Sequence, residues 1–357
     1  METNLKFSLI LVPQVLDGMP EPYEHITEQI CFAEELGFDT VWLTEHHFSP
    51  YGRPSVPAIA GHALANTSRI RISTAVVVLP FQHPLRVAED WATLDHLGRG
   101  RVDVGVGRGN QPKEFAGFNL TLHEAEQRFS EALDIIRRAW TEESFSYDGE
   151  FWQFPELSVL PKPHTKPHPP IWQAAISDYT VKKIIDRGIN GLIGPYLCPH
   201  EILKTSYFDA WHRMINEAGR TDLQMAHNEF IYVGESDAQV KADVRDHVLW
   251  YVRTAAKIWG ERDKAKVAEQ FANYTEILEY FDTVSFDEIY DKLGIFGTPD
   301  SVADKIEWLN KEGGLEHIII FNWFGKLAHE KAMRSMELFA REVMPRFTEP
   351  AALAATG

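Results

Sequence analysis

IRISTAVVVLPFQHPLRVAEDWATLDHLGRGRVDVGVGRG, residues 70–109, holds one complete strand–helix–strand passage, and its reading decides the fold. Ile70–Leu79 is a β-branched run that predicts a buried strand. Leu85–Leu97 repeats apolar residues at helical spacing and is stopped by Gly98. Arg101–Val106 is again strand-like and runs into a glycine-rich turn from Gly105 to Gly109. Strand, helix and strand in this order specify a parallel crossover unit, because parallel neighbours need a connection long enough to carry the chain back.

The same alternation extends in both directions. Upstream, the pattern predicts strand Lys6–Val12, helix Tyr23–Leu36 ending at Gly37, strand Thr40–Leu43 and helix Ser55–Ala65. Downstream it predicts helix Leu122–Trp140, then a break at Ser144–Pro170, where FSYDGEFWQFP reads as a hairpin and PKPHTKPHPP as an extended crossing. Strands Ile171–Ala175, Gly191–Pro195, Met225–Val233 and His317–Phe321 follow, interleaved with helices Tyr179–Ile185, Glu201–Ala218, Ala238–Trp259, Ser301–Asn310 and Glu330–Val343. Residues 260–296 have helical composition but no clear place in the alternation and read as an inserted lid or bracket. Eight such units with no composition boundary predict an α/β fold, a single (β/α)8 TIM barrel with insertions, over two doubly wound domains. The barrel is expected to span residues 1–347, with insertions near 144–170 and 260–296, followed by a loose tail at 348–357.

Composition narrows the function classes. At 357 residues, 44% hydrophobic and 24% charged, the chain is an ordinary globular one that can bury a large core. Two cysteines, Cys31 and Cys198, make neither a disulfide framework nor a cysteine zinc cage. Thirty-five basic against 52 acidic residues leave a net charge of −17, which repels phosphate backbones and anionic lipid, so neither nucleic acid nor membrane is an expected partner. The apolar run near the N-terminus is short and lacks a cleavage site, and no stretch reaches the ~18 apolar residues of a spanning helix. A cytoplasmic location is expected.

In a (β/α)8 barrel the functional side chains sit at the carboxyl ends of the strands. That rule selects Glu45-His46-His47, Pro80-Phe81-Gln82, the Gly105–Asn110 turn, Ala175-Ile176-Ser177 and Asn322-Trp323-Phe324. Neighbouring residues on a strand end point to opposite faces, so His46 and His47 do not readily share one metal ion, and no HxH or HExxH spacing occurs. No metal is expected there. One inward histidine can serve as an acid, a base or a hydrogen-bond donor, or can simply be satisfied in a polar loop. Arg108 stands inside the glycine-rich turn, where the backbone can approach a ligand and a guanidinium suits phosphate or carboxylate. Arg128, early in the following helix, either converges on the same anion or lies on a solvated helix face. Ser177, Asp178 and Thr180 open a helix, where a serine is an ordinary N-cap and a helix N-terminus with hydroxyls also binds phosphate.

Several of these segments together resemble the bacterial luciferase-like flavin monooxygenases. The matching stretches are GFDTVWLTEHHFSPYG (37–52), VVLPFQHPLRVAEDWATLDHLGRGR (77–101), VGVGRG (104–109), EAEQRFSEAL (124–133), PPIWQAA and FGTPDSVADKI, spread over nearly the whole chain. The resemblance implies a barrel that binds reduced FMN as a co-substrate and uses O2, through a flavin peroxide, to oxygenate a small organic molecule. By the same resemblance His46 lies at the reactive edge of the flavin. Arg108 and Arg128 bind its phosphate, with Ser177 and Thr180 completing that site. A non-prolyl cis peptide, Ala75-Val76, lies beneath the ring, and Trp250-Tyr251 resembles the family's aromatic pair.

Two departures bear on activity: Gly107 stands where the light-emitting subunit has a thiol, and the 260–296 region is shorter and more helical. The chain keeps the EHH histidine and the arginine that a non-catalytic partner subunit lacks, so it reads as a catalytic, non-luminescent relative. The implied system is two-component, a separate flavin reductase supplying the reduced flavin, and GVGRG is not the GxGxxG of a dinucleotide site. Phe81, Phe115, Phe118, Trp250, Trp323 and Phe324 are candidate apolar walls that exclude water. A deazaflavin-dependent oxidoreductase and a non-catalytic flavin-binding protein are the alternatives on the same barrel. A homodimer through Ser55–Ala65 and Leu85–Leu97 is expected by family analogy.

Overall fold

A computed structural model describes residues 5–15, 20–50, 52–260 and 280–348. Strands β1 (Lys6–Leu11), β2 (Thr40–Leu43), β3 (Arg71–Thr74) with β4 (Val77–Val78), β5 (Val104–Gly107), β8 (Ile171–Ala175), β9 (Asn190–Ile193), β10 (Met225–Val233) and β12 (His317–Phe321) are all parallel neighbours in that order around the sheet. The sheet closes because β1 pairs with β12, Leu9 opposite Ile320, while Ile72 bridges Val102 and Val77 pairs with Val106. Buried on both faces, these strands read as nearly continuous apolar runs such as FSLIL and HIIIF.

Helices α1 (Tyr23–Leu36), α2 (Val56–Asn66), α3 (Pro84–Leu97), α4 (Pro112–Gly117), α5 (Ala125–Thr141), α6 (Asp178–Arg187), α7 (His200–Ile202), α8 (Asp209–Glu217), α9 (Asp237–Gly260), α10 (Phe286–Glu288), α11 (Pro299–Gly313) and α12 (His329–Glu342) connect the strands. Local chemistry sets their ends. Gly37 takes the left-handed conformation (φ 86°) that terminates α1, and Ser177 caps α6 by accepting from Thr180 N–H. Within the barrel, Trp42 and Trp172 meet edge-on at 5.5 Å and pack with His317, plugging the interior. Towards the carboxyl ends, Phe230, Phe321, Phe324 and Tyr251 form a second aromatic layer, to which α9 contributes Tyr251.

Three local expectations need correction. Ile70–Leu79 is not one strand but two, β3 and β4, broken at the Ala75-Val76 peptide, which is cis. The segment 260–296 does contribute to the sheet: Ile295–Gly297 forms β11 and pairs parallel with β10, Ile231 opposite Ile295. With three residues it is too short for periodicity to mark. Residues 261–279 of that segment lie outside the described residues. The helix expected over Glu201–Ala218 is divided by a π-helical turn, Leu203–Phe208. The break at 144–170 matches its reading, with the antiparallel hairpin β6 (Phe145–Asp148) and β7 (Gln153–Leu157) and then two cis prolines, Pro161 and Pro167.

Candidate active site

A cavity of about 570 Å³ opens across the carboxyl ends of β2, β4, β5 and β8, within the range usual for small-molecule sites. Glu45 and His46 line it from β2, Ala75, Val76 and Val78 from the broken strand, and Gly107, Arg108 and Gly109 from the turn after β5. Gln173 through Ser177 and then Tyr179 and Thr180 close the far side.

The glycine-rich turn serves a purpose other than the one its sequence suggests. A Cβ at Gly105 would lie 1.7 Å from the Thr74 carbonyl oxygen, and one at Gly107 would lie 2.5 Å from Val76 Cγ2. These glycines therefore let β5 lie against the broken strand, and close approach of a ligand is secondary. Thr74 Oγ1 fastens the same contact, donating to Gly105 O at 2.7 Å.

His46 is held on two sides. Its Nδ1 lies 3.2 Å from Glu114 Oε1 and 2.9 Å from the Gln111 carboxamide nitrogen. A carboxylate only accepts and an amide nitrogen only donates, so the two contacts call for opposite states of Nδ1: it is protonated when it donates to Glu114 and holds its lone pair when it accepts from Gln111. Glu114 is 2% exposed, and its Oε1 also accepts from the His47 backbone N–H at 2.8 Å, which fixes the chain and the ring with one oxygen. Gly52 packs against the other side of His46, where a Cβ would meet the His46 Cβ at 2.6 Å.

His47 faces away from the cavity. Its Nε2 donates to Glu45 Oε1 at 2.8 Å, and its ring stacks edge-on against Phe81 and Phe118. Glu45, although buried, is surrounded by donors: Val78 N–H at 3.0 Å and the Gln82 amide at 3.2 Å, besides His47.

At the opposite end, Arg108, Ser177 and Thr180 converge on the start of α6, an arrangement that accommodates an anion. Arg128 does not line the cavity. Its Nε donates to Glu124 at 2.8 Å and its guanidinium stacks 4.2 Å above Phe151, so its partners come from its own helix and the hairpin. Arg187, also outside the lining, donates from the end of α6 to Ser130 Oγ (2.8 Å) and to Gln173 Oε1 (2.9 Å), and Gln173 does line the cavity. Burial pulls its guanidinium below the ordinary arginine range, with the nearby charge of Glu126 opposing. Trp250 is likewise absent from the lining, whereas its neighbour Tyr251 belongs to the aromatic layer beneath. Of the expected apolar walls, Phe81, Phe115 and Phe118 form one cluster behind His47, Phe324 joins the Phe230 layer, and Trp323 packs on His25 and His329. Neither cysteine is a candidate nucleophile: burial pushes the Cys198 thiol up to about 12 and also raises Cys31.

Sequence reading missed Glu114, Gln111, Gln173 and Arg187. The signal for the first two was present in NQPKE, where Pro112 at a helix start places Gln111 and Glu114 on its first turn. Arg187 lies at the opposite end of α6 from Ser177, where it holds Gln173 and Ser130, and carried no mark.

The fold and cavity together define a (β/α)8 barrel with a cavity open across the carboxyl ends of its strands. The chain belongs to the luciferase-like monooxygenase family, whose model matches residues 5–317. It is 26% identical to the oxygenase component of flavin-dependent trigonelline monooxygenase from Acinetobacter baylyi, over 97% of this chain and 96% of that one. It is 27% identical to the alkanal monooxygenase alpha chain of the Kryptophanaron alfredi symbiont, over 89% of this chain and 90% of that one. A monooxygenase from Streptomyces bottropensis superposes with a TM-score of 0.80 at 26% identity, covering 96% of this chain and all of that one.

Proposed function

We propose that this chain is the oxygenase of a two-component monooxygenase, taking reduced FMN from a separate reductase and using O2 to oxygenate a small organic substrate. The observation that carries the reading is one cavity lined at one end by Arg108, Ser177 and Thr180, residues suited to an anion, and at the other by His46, held through Nδ1 by Glu114 and Gln111. A flavin mononucleotide suits these residues. Its phosphate would be held by Arg108 and the start of α6, and the face made by Ala75, Val76 and Gly107 is apolar. Reduced flavin, when bound, supplies the electrons with which oxygen is activated.

The protein's share is then to bind, exclude water and handle a proton. His46 lines the cavity, and Glu114, 3.2 Å from its Nδ1, stabilises the ring when it is a cation. The relatives named above support the flavin and reductase elements of this reading, and the oxygenated substrate is left as a small organic molecule.

The test is anaerobic titration with reduced FMN, followed by rapid mixing with oxygen. Binding, and a delay before oxidised-flavin absorbance returns that is longer than for free flavin, is the expected result. Reoxidation indistinguishable from free flavin would reduce the chain to a flavin-binding protein. Hydride transfer with a reduced deazaflavin and no oxygen consumption would favour the oxidoreductase alternative.

A further inference from the structure

On the outer face of the barrel, away from the cavity, α1 and α12 bring three potential ligands together. His25 and Glu28 sit one turn apart on α1, and His329 is the first residue of α12. One nitrogen from each imidazole and a carboxylate oxygen of Glu28 all lie within 4.8 Å of one another. His329 Nε2 is 2.8 Å from Glu28 Oε2, and the two imidazole rings stack 4.1 Å apart at 8°. Trp323 lies edge-on to both rings, so one side of the group is walled by an indole.

We propose that His25, Glu28 and His329 form a binding site for one zinc-class divalent cation that ties the first helix of the barrel to the last. Two imidazoles and a carboxylate are the donor set of borderline metals such as Zn²⁺ or Co²⁺, and hard cations such as Mg²⁺ would not select it. Metal–ligand bonds of about 2.0–2.2 Å require the three atoms to stand roughly 3.5 Å apart in a tetrahedron. Glu28 is 59% exposed and can rotate to open its contact with His329, and the half-buried His25 turns out of its stack on His329 so that the lone pairs of the two rings converge on one ion.

The surroundings supply an outer partner as well. The fully buried Gln29 places its carboxamide nitrogen 3.3 Å from His329 Nδ1, and its Oε1 has no hydrogen-bond partner among the described residues. Turning that amide over puts Oε1 against Nδ1–H. The oxygen then gains a donor, and Nε2 keeps its lone pair for the metal. A metal-bound histidine ordinarily donates its second N–H to such an acceptor. Three protein ligands leave a fourth position for water. Glu28 also borders a groove of about 670 Å³ between α1 and α2, which gives the cation an entry path.

The experiment is titration of chelator-treated full-length protein with Zn²⁺ by calorimetry, with Co²⁺ visible absorption reporting geometry and Tm reporting the tie between helices. One equivalent should bind, give a four-coordinate Co²⁺ spectrum and raise Tm. His25→Ala and Glu28→Gln alter side chains outside the buried core, so they should fold, as circular dichroism will verify. Each should weaken binding by more than the ~10- to 100-fold that loss of an outer-shell partner costs, and abolish the Tm rise. His123→Ala, at an exposed histidine elsewhere, should change nothing. Absence of stoichiometric binding in the parent protein, or equal binding in His25→Ala and Glu28→Gln, overturns the proposal.

Discussion

Replacing Glu114 by Gln isolates what the carboxylate contributes to His46. The substitution keeps shape and volume, and the amide oxygen can still accept the His47 N–H now at 2.8 Å. What changes is the contact to His46 Nδ1 at 3.2 Å, from a charge-assisted hydrogen bond to a neutral one. Bonds to charged groups contribute ~1.5–3 kcal/mol and neutral ones ~0.5–1.5, so the difference is about 1–1.5 kcal/mol, or roughly tenfold in rate. It should be felt when the ring becomes a cation, because the buried carboxylate then faces a positive charge.

Removing the imidazole by His46→Ala takes away the whole acid–base contribution, ~10²- to 10⁴-fold. The two variants should therefore fall in order, parent above Glu114→Gln above His46→Ala, in the delay before oxidised-flavin absorbance returns after oxygen mixing. Reduced-FMN affinity, measured anaerobically by fluorescence titration, should stay within about threefold for both, because the anion-binding residues are untouched. A His46→Ala protein with the parent's delay would show that the histidine is structural. A Glu114→Gln protein as impaired as His46→Ala, with lowered flavin affinity, would show that Glu114 acts on the flavin site itself.

Arg108→Ala should weaken reduced-FMN binding ~10- to 150-fold in the same titration, since a charge-assisted hydrogen bond contributes ~1.5–3 kcal/mol. Arg128→Ala should change affinity far less, given its engagement with Glu124 and Phe151. His317, driven down to about 3 from 6.5 chiefly by burial with a contribution from Lys6, stays neutral in the folded barrel. The unfolded chain therefore binds the extra proton, and stability is lost as pH falls from 6.5 towards 3; His317→Asn should flatten the Tm–pH curve in that window, read by circular dichroism. A homodimer through α2 and α3 is expected, and a monomeric mass by light scattering would refute it.

Most of the barrel is legible in the sequence because parallel strands buried on both faces are short, apolar and separated by helices with strong stop signals. Gly37 and Gly98 end their helices as read, and the eight expected strand regions all occur, the third divided into β3 and β4. What is not legible depends on contacts distant in sequence. Ile295–Gly297 is a strand only because β10 extends past its neighbours and leaves Ile231–Val233 to be paired. At the site, His46 and Arg108 could be picked out because each follows a strand, and strand ends address one place in a barrel. Arg187 could not, since its guanidinium reaches the cavity wall from the opposite end of α6. Arg128 differs from its reading in where its side chain lies: Glu124 and the hairpin residue Phe151 hold the guanidinium off the cavity lining, and the second contact depends on how the hairpin packs.

The absence of a side chain at position 107 shows how far one such contact constrains the chemistry. Val76 fills the space that a residue-107 side chain would occupy, with a Cβ only 2.5 Å from its Cγ2. Gly107→Cys should therefore overpack the cavity wall and cost ~1–3 kcal/mol, lowering Tm. Shortening the obstacle, in Gly107→Cys with Val76→Ala, should recover most of that loss, because the new sulfur then occupies the volume the valine vacates. The double variant would place a thiol on the cavity wall beside Arg108, and thiol titration with and without bound reduced FMN would report whether the flavin covers it. Equal stability of parent and Gly107→Cys would mean that the wall yields freely, and Val76 would then not be what keeps position 107 glycine.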